Sequence, residues 1–257
     1  MEWYLYPLIV AAGVLSGFIN TLAGSGSLVT LPLLIFLGLP ANVANGTNRV
    51  AIVFQNLIAT GSFYQRKVLD LRGVLWLGIP SMVGSVIGAQ VAVNLDETLM
   101  RQVIGAIMLA MLVVILLRPG RWLRGEIQDI RGHFNWKQPL IFFLIGIYGG
   151  FIQAGVGIFL LAGLVLGVGY DLVRANAVKV GIVLFSAVFA LGVFVLNDQV
   201  DWLVGLVLAL GNMLGAWLGA RVAVEKGAVW IRRLLIAVVV VSAANLLGVF
   251  KLLQSIF

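Results

Sequence analysis

The chain has 257 residues, of which 61% are hydrophobic and 11% charged, and its mean hydropathy is +1.09. A soluble domain carries roughly 25% charged residues, so the composition excludes an ordinary soluble protein and predicts an all-α, polytopic membrane protein. The absence of cysteine excludes disulfides, thiolate metal sites and thiol catalysis. We interpret the net charge of +7 as cytoplasmic Lys and Arg that follow the positive-inside rule, rather than as a nucleic-acid surface.

The first apolar segment, Leu5–Leu39, is interrupted by a stretch that contains Gly24 and Gly26. The apolar runs on either side are too short to span a membrane comfortably, because a spanning helix needs about 20 residues. Glycine lets the backbone bend there, and the freed N–H and C=O groups need partners inside protein or beside a wet cavity. The start of the chain lacks the basic residues of a cleavable signal, so we expect this segment to stay in the mature protein.

Three full spans follow the broken segment in the first half, and the second half repeats this order. The first-half spans are predicted at Val43–Phe63, Val74–Val93 and Leu99–Leu117. The second half begins with a broken segment at Leu140–Val168 and continues with spans at Leu172–Leu196, Trp202–Val224 and Val229–Phe250. The sequence therefore predicts a single membrane domain of about eight transmembrane segments.

An internal duplication relates the two halves. Small and polar residues recur at a constant offset of 131: Gly84 and Gly215, Gly88 and Gly219, Ala89 and Ala220, Asp70 and Asp201, Arg101 and Arg232. Before the break the offset is 133, as in Gly13 and Gly146. We assign residues 1–117 to repeat 1 and residues 140–257 to repeat 2. The small-xxx-small spacing of the glycines predicts close helix packing rather than substrate contact.

The loop charges indicate that the two repeats are inverted in the membrane. The loop with Arg66, Lys67 and Arg72 is basic and is placed inside, whereas the next loop, 94–97, is acidic and is placed outside. In the second half the equivalent of the basic loop is the acidic stretch 197–201, which is placed outside. Both termini are therefore expected on the periplasmic side of the inner (plasma) membrane.

Residues 118–139 connect the two halves and are predicted to lie on the cytoplasmic side. Their apolar residues share one helical stripe: Leu123, Ile127, Ile130 and Phe134. Such a stripe is typical of a helix lying in the membrane interface. A regulatory or nucleotide-binding connector is the alternative, but no phosphate-binding Gly loop supports it. His133, the one histidine, is expected to face solvent or headgroups.

Polar residues accompany the glycines at both breaks and form the first part of a candidate binding site: Asn20, Thr21, Gly24, Ser25, Gly26 and Ser27, then Gln153, Gly155 and Gly157. Ser25 and Ser27 stand where the second short helix begins, so its N–H groups and dipole would favour an anion. Helix capping explains one serine but not a second break at the matching place. Such paired breaks indicate a transporter's binding site.

A second polar cluster opens the first full span of each half. Asn45 and Asn48 share one helical face, and so do Asn176 and Lys179. Arg49 lies a turn inside its span, on the outer side where positive-inside anchoring does not explain it. Positive-inside anchoring is the alternative for Arg174 and Lys179, above all for Arg174. Lys179 lies deeper and is costly to leave unpaired, so we expect a substrate anion as its partner.

Several kinds of chemistry are missing from the predicted spans. All ten acidic residues fall at span ends or in loops, which leaves no intramembrane cation site or carboxylate proton relay. One loop histidine and no cysteine argue against a transition-metal carrier and an intramembrane metalloenzyme. We therefore expect no catalytic residues, no metal and no cofactor.

The paired motifs resemble those of a known family. Gly-Phe-Ile-Asn-Thr-Leu-Ala-Gly-Ser-Gly-Ser at 17–27, followed by Ala-Asn-Gly-Thr-Asn-Arg at 44–49, resembles the TauE/SafE sulfite exporters, also called the toluene sulfonate uptake permeases. The echo at 149–157, with Arg-Ala-Asn-Ala-Val-Lys at 174–179, is similar to the family's second half. The resemblance covers nearly the whole chain. It implies a carrier of sulfite, thiosulfate, organosulfonates or related small anions.

Three hypotheses remain at this point. The favoured one is a secondary transporter that exports a small sulfur-containing anion. The second is a permease or exporter of another small solute, or proton-coupled uptake of the same anions, and the third is a membrane-embedded enzyme, which lacks an evident base or nucleophile. The expected partners are a small anionic substrate and the lipid bilayer but no nucleic acid, and a homo-oligomer is left open.

Overall fold

The structure is a computed structural model that describes residues 4–117 and 135–246. Within these ranges it consists of helices and contains no strand. The helices are α1 (Leu5–Ala23), α2 (Ser27–Phe36), α3 (Ala41–Gln65), α4 (Leu71–Val93), α5 (Glu97–Leu117), α6 (Lys137–Phe151), α7 (Val156–Ala162), α8 (Leu172–Leu196) and α9 (Trp202–Leu246). A π-helical turn, Gly163–Val168, continues α7. The all-α prediction is confirmed, and the boundaries up to α8 lie within a few residues of those expected.

Both predicted breaks are present as short non-helical stretches. Residues 24–26 separate α1 from α2, and residues 152–155 separate α6 from α7. Gly24 and Gly155 both have φ 74°, a left-handed conformation that glycine adopts without steric cost. Each broken apolar segment therefore becomes two helices, the first of which ends inside the protein. The expectation that the run before the first break is too short to span is wrong, because α1 continues to Ala23 and its 19 residues are long enough to cross a membrane.

The long helices α3 and α8 lie at the centre of the bundle and contact each other. Around them, α1 packs against α9 and α4 packs against α6, while α3 also contacts α9 and α8 contacts α4. The first turns of α3 and α8 are buried, including their amide and cationic residues. This arrangement brings the polar starts of the two central helices next to the breaks.

Glycines let the outer helices approach the inner ones closely. A Cβ on Gly17 of α1 would collide with the backbone of Asn212 in α9, and a Cβ on Gly88 of α4 would collide with the backbone of Ile147 in α6. Close backbone approach through small residues is the usual way in which membrane helices pack. The predicted packing role of the small-xxx-small glycines is confirmed.

In the described part of the chain, four helices are long and apolar enough to cross a membrane: Leu5–Ala23, Leu71–Val93, Leu172–Leu196 and the part of α9 from Trp202 to Glu225. α2, α6 and α7 with its π-helical turn are apolar but shorter. Helix α4 also exposes a row of large apolar side chains, Leu75, Ile79, Val83, Ile87 and Val91, as expected of a face against lipid. The chain is a multi-pass membrane protein.

The structure differs from the sequence prediction in α9. We predicted two spans, Trp202–Val224 and Val229–Phe250, whereas residues 202–246 form one helix of 45 residues. Gly227 is the only helix-disfavouring residue near the predicted loop, and one glycine inside a helix costs only about 1 kcal/mol. The turn predicted there is therefore not seen.

The connector prediction is only partly covered by the structure. Residues 118–134, with the apolar stripe and His133, lie outside the described residues. Residues 137–139, which we had assigned to the connector, form the first turn of α6. Trp136, just before that helix, is exposed.

Candidate functional site

The two breaks lie against each other. The backbone N–H of Gly157 donates to the carbonyl oxygen of Gly24 at 3.2 Å. A Cβ on either residue would collide with the backbone of the other, so only glycine permits this contact. Gly24 and Gly157 are 133 residues apart in the sequence, yet the Gly-rich breaks of the two halves meet at one point inside the bundle.

The broken helix α1 ends at a buried ammonium group from α8. Lys179 Nζ donates to the carbonyl oxygens of Asn20 at 3.0 Å and Thr21 at 2.8 Å. Its third hydrogen bond goes to Asn176 Oδ1 at 2.8 Å. An ammonium group has three donors, so Lys179 has used all of them. Asn176, one turn earlier on the same helix, orients the cation towards the end of α1.

The broken helix α6 ends in a similar way at a buried guanidinium group from α3. Arg49 donates through Nη1 to the carbonyl oxygen of Gly149 at 3.2 Å and through Nη2 to that of Gly150. One turn earlier, Asn45 Nδ2 donates to the carbonyl oxygen of Phe151 at 2.9 Å. The ring of Phe194 lies 4.7 Å from the guanidinium carbon, which adds a cation–π contact.

Each interrupted helix is therefore capped by a cation from the opposite half of the chain. The last carbonyl groups of a helix have no intrahelical donor, and the C-terminal end carries roughly half a negative charge. Arg49 and Lys179 satisfy both needs. We had expected a substrate anion as the partner of Lys179, but its hydrogen-bond partners are two carbonyl groups and an amide.

The two cations are nevertheless not neutralised by carboxylates. Arg49 is 0% and Lys179 1% exposed, and none of the buried residues in the described ranges is Asp or Glu. A helix end offsets only part of a full charge, and buried charge without a counter-ion is costly in a membrane. The centre of the bundle therefore holds an excess of positive charge.

Helix α2 begins beside this charge with a network of hydroxyl and amide groups. Asn48 Nδ2 donates to Ser27 Oγ at 3.1 Å, and Thr30 Oγ1 donates to Asn48 Oδ1 at 2.7 Å. Ser25 is 4% exposed and precedes the helix. The first intrahelical bonds start only with Leu28 N–H, so the N–H groups of the preceding residues have no partner within the helix.

Several buried polar atoms at the predicted site residues have no partner in the described part of the chain: Thr21 Oγ1, Asn45 Oδ1, Arg49 Nε and Asn176 Nδ2. Most buried polar groups in folded proteins are hydrogen-bonded. Arg49 Nε and Asn176 Nδ2 are donors only, and the Thr21 hydroxyl can donate or accept. Unused donors beside an excess of positive charge suit a small anion.

The structure brings the predicted site residues to one region. Asn48 and Ser27 bond to each other, Lys179 bonds to Asn20 and Thr21, and Gln153 Oε1 accepts from Arg49 Nη1 at 3.4 Å. Gly26 packs against Ser16 and Asn20 of α1 and Gly155 begins α7, so both shape the backbone without offering side chains.

Arg174, by contrast, lies apart from this region. Its side chain is 51% exposed and pairs with Asp171 at 3.7 Å. It is the kind of surface cation that anchors a helix end.

Sequence reasoning missed three groups. Thr30 follows Ser27 by one helical turn, and that spacing on one face could have revealed it. Nothing in the sequence indicated the contact between Phe194 and Arg49, since it depends on how α3 packs against α8. Ser81 of α4 and Ser186 of α8 are 3.0 Å apart between their hydroxyl oxygens. Isolated serines in apolar spans carry little information, because they can bond to their own helix.

Comparison with known proteins identifies the family of the chain. The chain matches the family model described as "Sulfite exporter TauE/SafE" over residues 9–246. It is 31% identical to the probable membrane transporter protein ORF9 of a Sinorhizobium species over 253 residues, which cover 96% of this chain and 94% of that protein.

Two further relatives are the probable membrane transporter proteins of Escherichia coli K12 (YfcA) and Haemophilus influenzae. The first is 31% identical, with 95% of this chain and 90% of the relative covered; the second is 28% identical, with 90% of each covered. No solved structure matches the chain. The chain thus belongs to the TauE/SafE sulfite exporter family, and it is a membrane transporter rather than an enzyme.

Proposed function

We propose that the protein is a secondary transporter that exports a small sulfur-containing anion, such as sulfite, thiosulfate or an organosulfonate. The observation that carries this proposal is the pair of buried cations, Arg49 and Lys179, with no buried carboxylate among the described residues. An anion would reduce the excess charge, whereas a cation would increase it. The binding site is the region around the two breaks, where the polar residues of both halves converge.

The proposed architecture is a pair of inverted repeats with eight transmembrane segments. It is supported by helix pairings that follow the duplication: α1 lies on α9 as α6 lies on α4, and α3 contacts α9 as α8 contacts α4. A helix of 45 residues is about 67 Å long, roughly twice the hydrocarbon thickness. Eight segments would require this helix to change direction near Gly227, whereas the structure shows it as continuous.

The proposed orientation places Lys67 inside the cell and Asp96 and both termini on the periplasmic side of the inner membrane. Single cysteines at positions 67 and 96 test this in a chain that has no other cysteine. A membrane-impermeant thiol reagent added to intact cells should label position 96 only. Labelling of both positions from one side would contradict the proposed orientation.

The substrate class is tested by binding to the purified protein. Sulfite, thiosulfate, taurine and a neutral amino acid such as alanine are compared as ligands in one thermal-shift panel. We expect the sulfur oxyanions or sulfonates to raise Tm and alanine to leave it unchanged, because a ligand that binds the folded state stabilises it. A response to the amino acid alone would favour a permease for another solute.

A further inference from the structure

A small cavity lies between α4, α6, α7 and α8, next to one of the two capped helix ends. Its polar lining consists of Ser81 from α4, Ser186 from α8 and Gln153 from the second break, and the rest is glycine and aliphatic side chains. All three polar residues lie near the middle of their apolar segments. Only Gln153 was among the residues predicted from the sequence.

The two serine hydroxyls keep hydrogen-bonding capacity for a ligand. Ser81 is 2% exposed, and its Oγ lies 3.0 Å from that of Ser186, so one hydroxyl donates to the other and the second proton stays free. Ser85, one turn along α4, lies outside the cavity lining. Its hydroxyl bonds to the carbonyl oxygens of Met82 at 2.8 Å and Ser186 at 2.9 Å.

Gln153 links this cavity to the guanidinium group of Arg49. Its Oε1 accepts from Arg49 Nη1, which leaves its amide NH2 group to donate elsewhere. Arg49 also donates to Gly149, whose backbone lines the same cavity. A ligand in the cavity would thus meet two hydroxyls and an amide, with the positive charge of Arg49 behind them.

We propose that this cavity is the subsite that holds the oxygens of the transported anion. The anion replaces the hydrogen bond between Ser81 and Ser186, so that both hydroxyls and the Gln153 amide donate to it. This inference rests on the proposed function. It places the anion beside only one of the two buried cations. The charge facing the anion is that of Arg49, whereas Lys179 spends its three donors on α1 and Asn176. A single facing cation favours a singly charged oxyanion, such as bisulfite or a sulfonate, over a dianion.

The cavity must widen to admit such an anion. Its volume is about 10 Å³, enough for a single water molecule. Its walls include Gly146, which packs directly on the backbone of Ser81. Gly84 and Gly88 of α4 and Gly150 of α6 also face backbone atoms of the opposite helix. A small separation of these two helices would open the subsite.

The test uses single cysteines at positions 81, 186 and 85 in the otherwise cysteine-free chain. For each variant in proteoliposomes, the reaction rate with anionic sulfonatoethyl methanethiosulfonate is divided by the rate with neutral methyl methanethiosulfonate. We expect this ratio at S81C and S186C to exceed that at S85C by about tenfold, because a positive site concentrates anions. Equal ratios at the three positions would overturn the proposal.

A second measurement compares S81A and S186A with the control S85A in transport of the best sulfur anion. Each cavity variant should raise KM about tenfold through the lost hydrogen bond to a charged ligand, whereas S85A should not. Because the two serines lie on different helices, one variant remains informative if the other misfolds.

The outcomes separate this proposal from the proposed function. If the wild type transports the anion and S81A and S186A have unchanged KM, the subsite is refuted and the proposed function is not. A wild-type protein that carries no sulfur anion but shows the reagent preference would refute the proposed substrate and keep the anion subsite.

Discussion

Arg49 and Lys179 perform similar tasks with different chemistry. The guanidinium of Arg49 reaches two carbonyl groups and Gln153 and lies on the ring of Phe194, and its rigid, planar fork suits several acceptors at once. The ammonium of Lys179 is a point charge that holds Asn20 and Thr21 of α1. Each cation fixes the end of an interrupted helix that belongs to the other half of the chain.

Lys179→Ala should therefore impair transport far more than Arg174→Ala. Loss of the ammonium leaves the buried carbonyl group of Thr21 without its donor, which costs about 1–3 kcal/mol, whereas Asn20 keeps the N–H of Gly24. It also removes one of the two buried cations of the described residues. We expect at least a tenfold loss of transport rate and a lower Tm for Lys179→Ala. Both are measured in proteoliposomes and in detergent at matched protein amounts.

The Arg174→Ala control should behave like the wild type, since Arg174 is half exposed and its ion pair is weak. Equal, mild effects of the two substitutions would return Lys179 to a simple anchoring role.

The residues at the site were predicted more completely than their contacts. Asn48 with Ser27 and Asn176 with Lys179 were all identified because polar side chains are conspicuous in apolar segments. That Lys179 would bind carbonyl groups of Asn20 and Thr21 could not be predicted, because the contact joins positions 159 and 158 residues apart. Sequence patterns describe a residue's own helix, and not the helix end that it meets.

At the scale of the helices, the breaks and the glycine contacts depend on each other. The breaks stop α1 and α6 inside the bundle, and the glycines of α4 and α9 let these helices lie close to their neighbours. The breaks were predictable because Gly24 and Gly155 interrupt runs that are otherwise apolar. The continuous α9 was not, because two spans were predicted on either side of residues 225–228, although Glu225 and Lys226 also favour helix.

Gly88→Ala should destabilise the protein, because its Cβ would collide with the backbone of Ile147 in α6. Backbone atoms cannot move aside as a flexible side chain can, so we expect a loss of about 1–3 kcal/mol and a lower Tm.

The matched control is Gly61→Ala in α3, where a Cβ would meet nothing within 4 Å. This substitution should leave Tm unchanged or raise it slightly, since alanine favours helix over glycine. The measurement is the Tm of both variants and of the wild type. Similar Tm values for the two variants would contradict the close α4–α6 contact.

At the scale of the whole molecule, the fold concentrates positive charge where the two halves meet. Two polar helix starts and two helix breaks converge there, while the acidic residues of the described ranges stay out of the buried interior. The composition and the repeat were sufficient to predict this convergence. The serine pair Ser81 and Ser186 was not predictable, because their partnership exists only once α4 packs against α8.

This charge distribution also bears on the direction of transport. An anion that leaves a cell with a negative interior gains about 2.3 kcal/mol per charge per 100 mV. Export therefore needs no coupled ion, whereas uptake of the same anion needs co-transported cations such as protons. None of the buried residues that the structure describes is an Asp or Glu that could carry those protons. This favours export driven by the membrane potential.

The most direct test of this account measures sulfite efflux from proteoliposomes under an imposed potential. Vesicles loaded with sulfite receive an inside-negative potential from a potassium gradient and valinomycin, with pH equal on both sides. We expect efflux to accelerate with the potential, and protein-free vesicles to show no such effect. Efflux that ignores the potential and follows an imposed pH gradient instead would contradict potential-driven export of an anion.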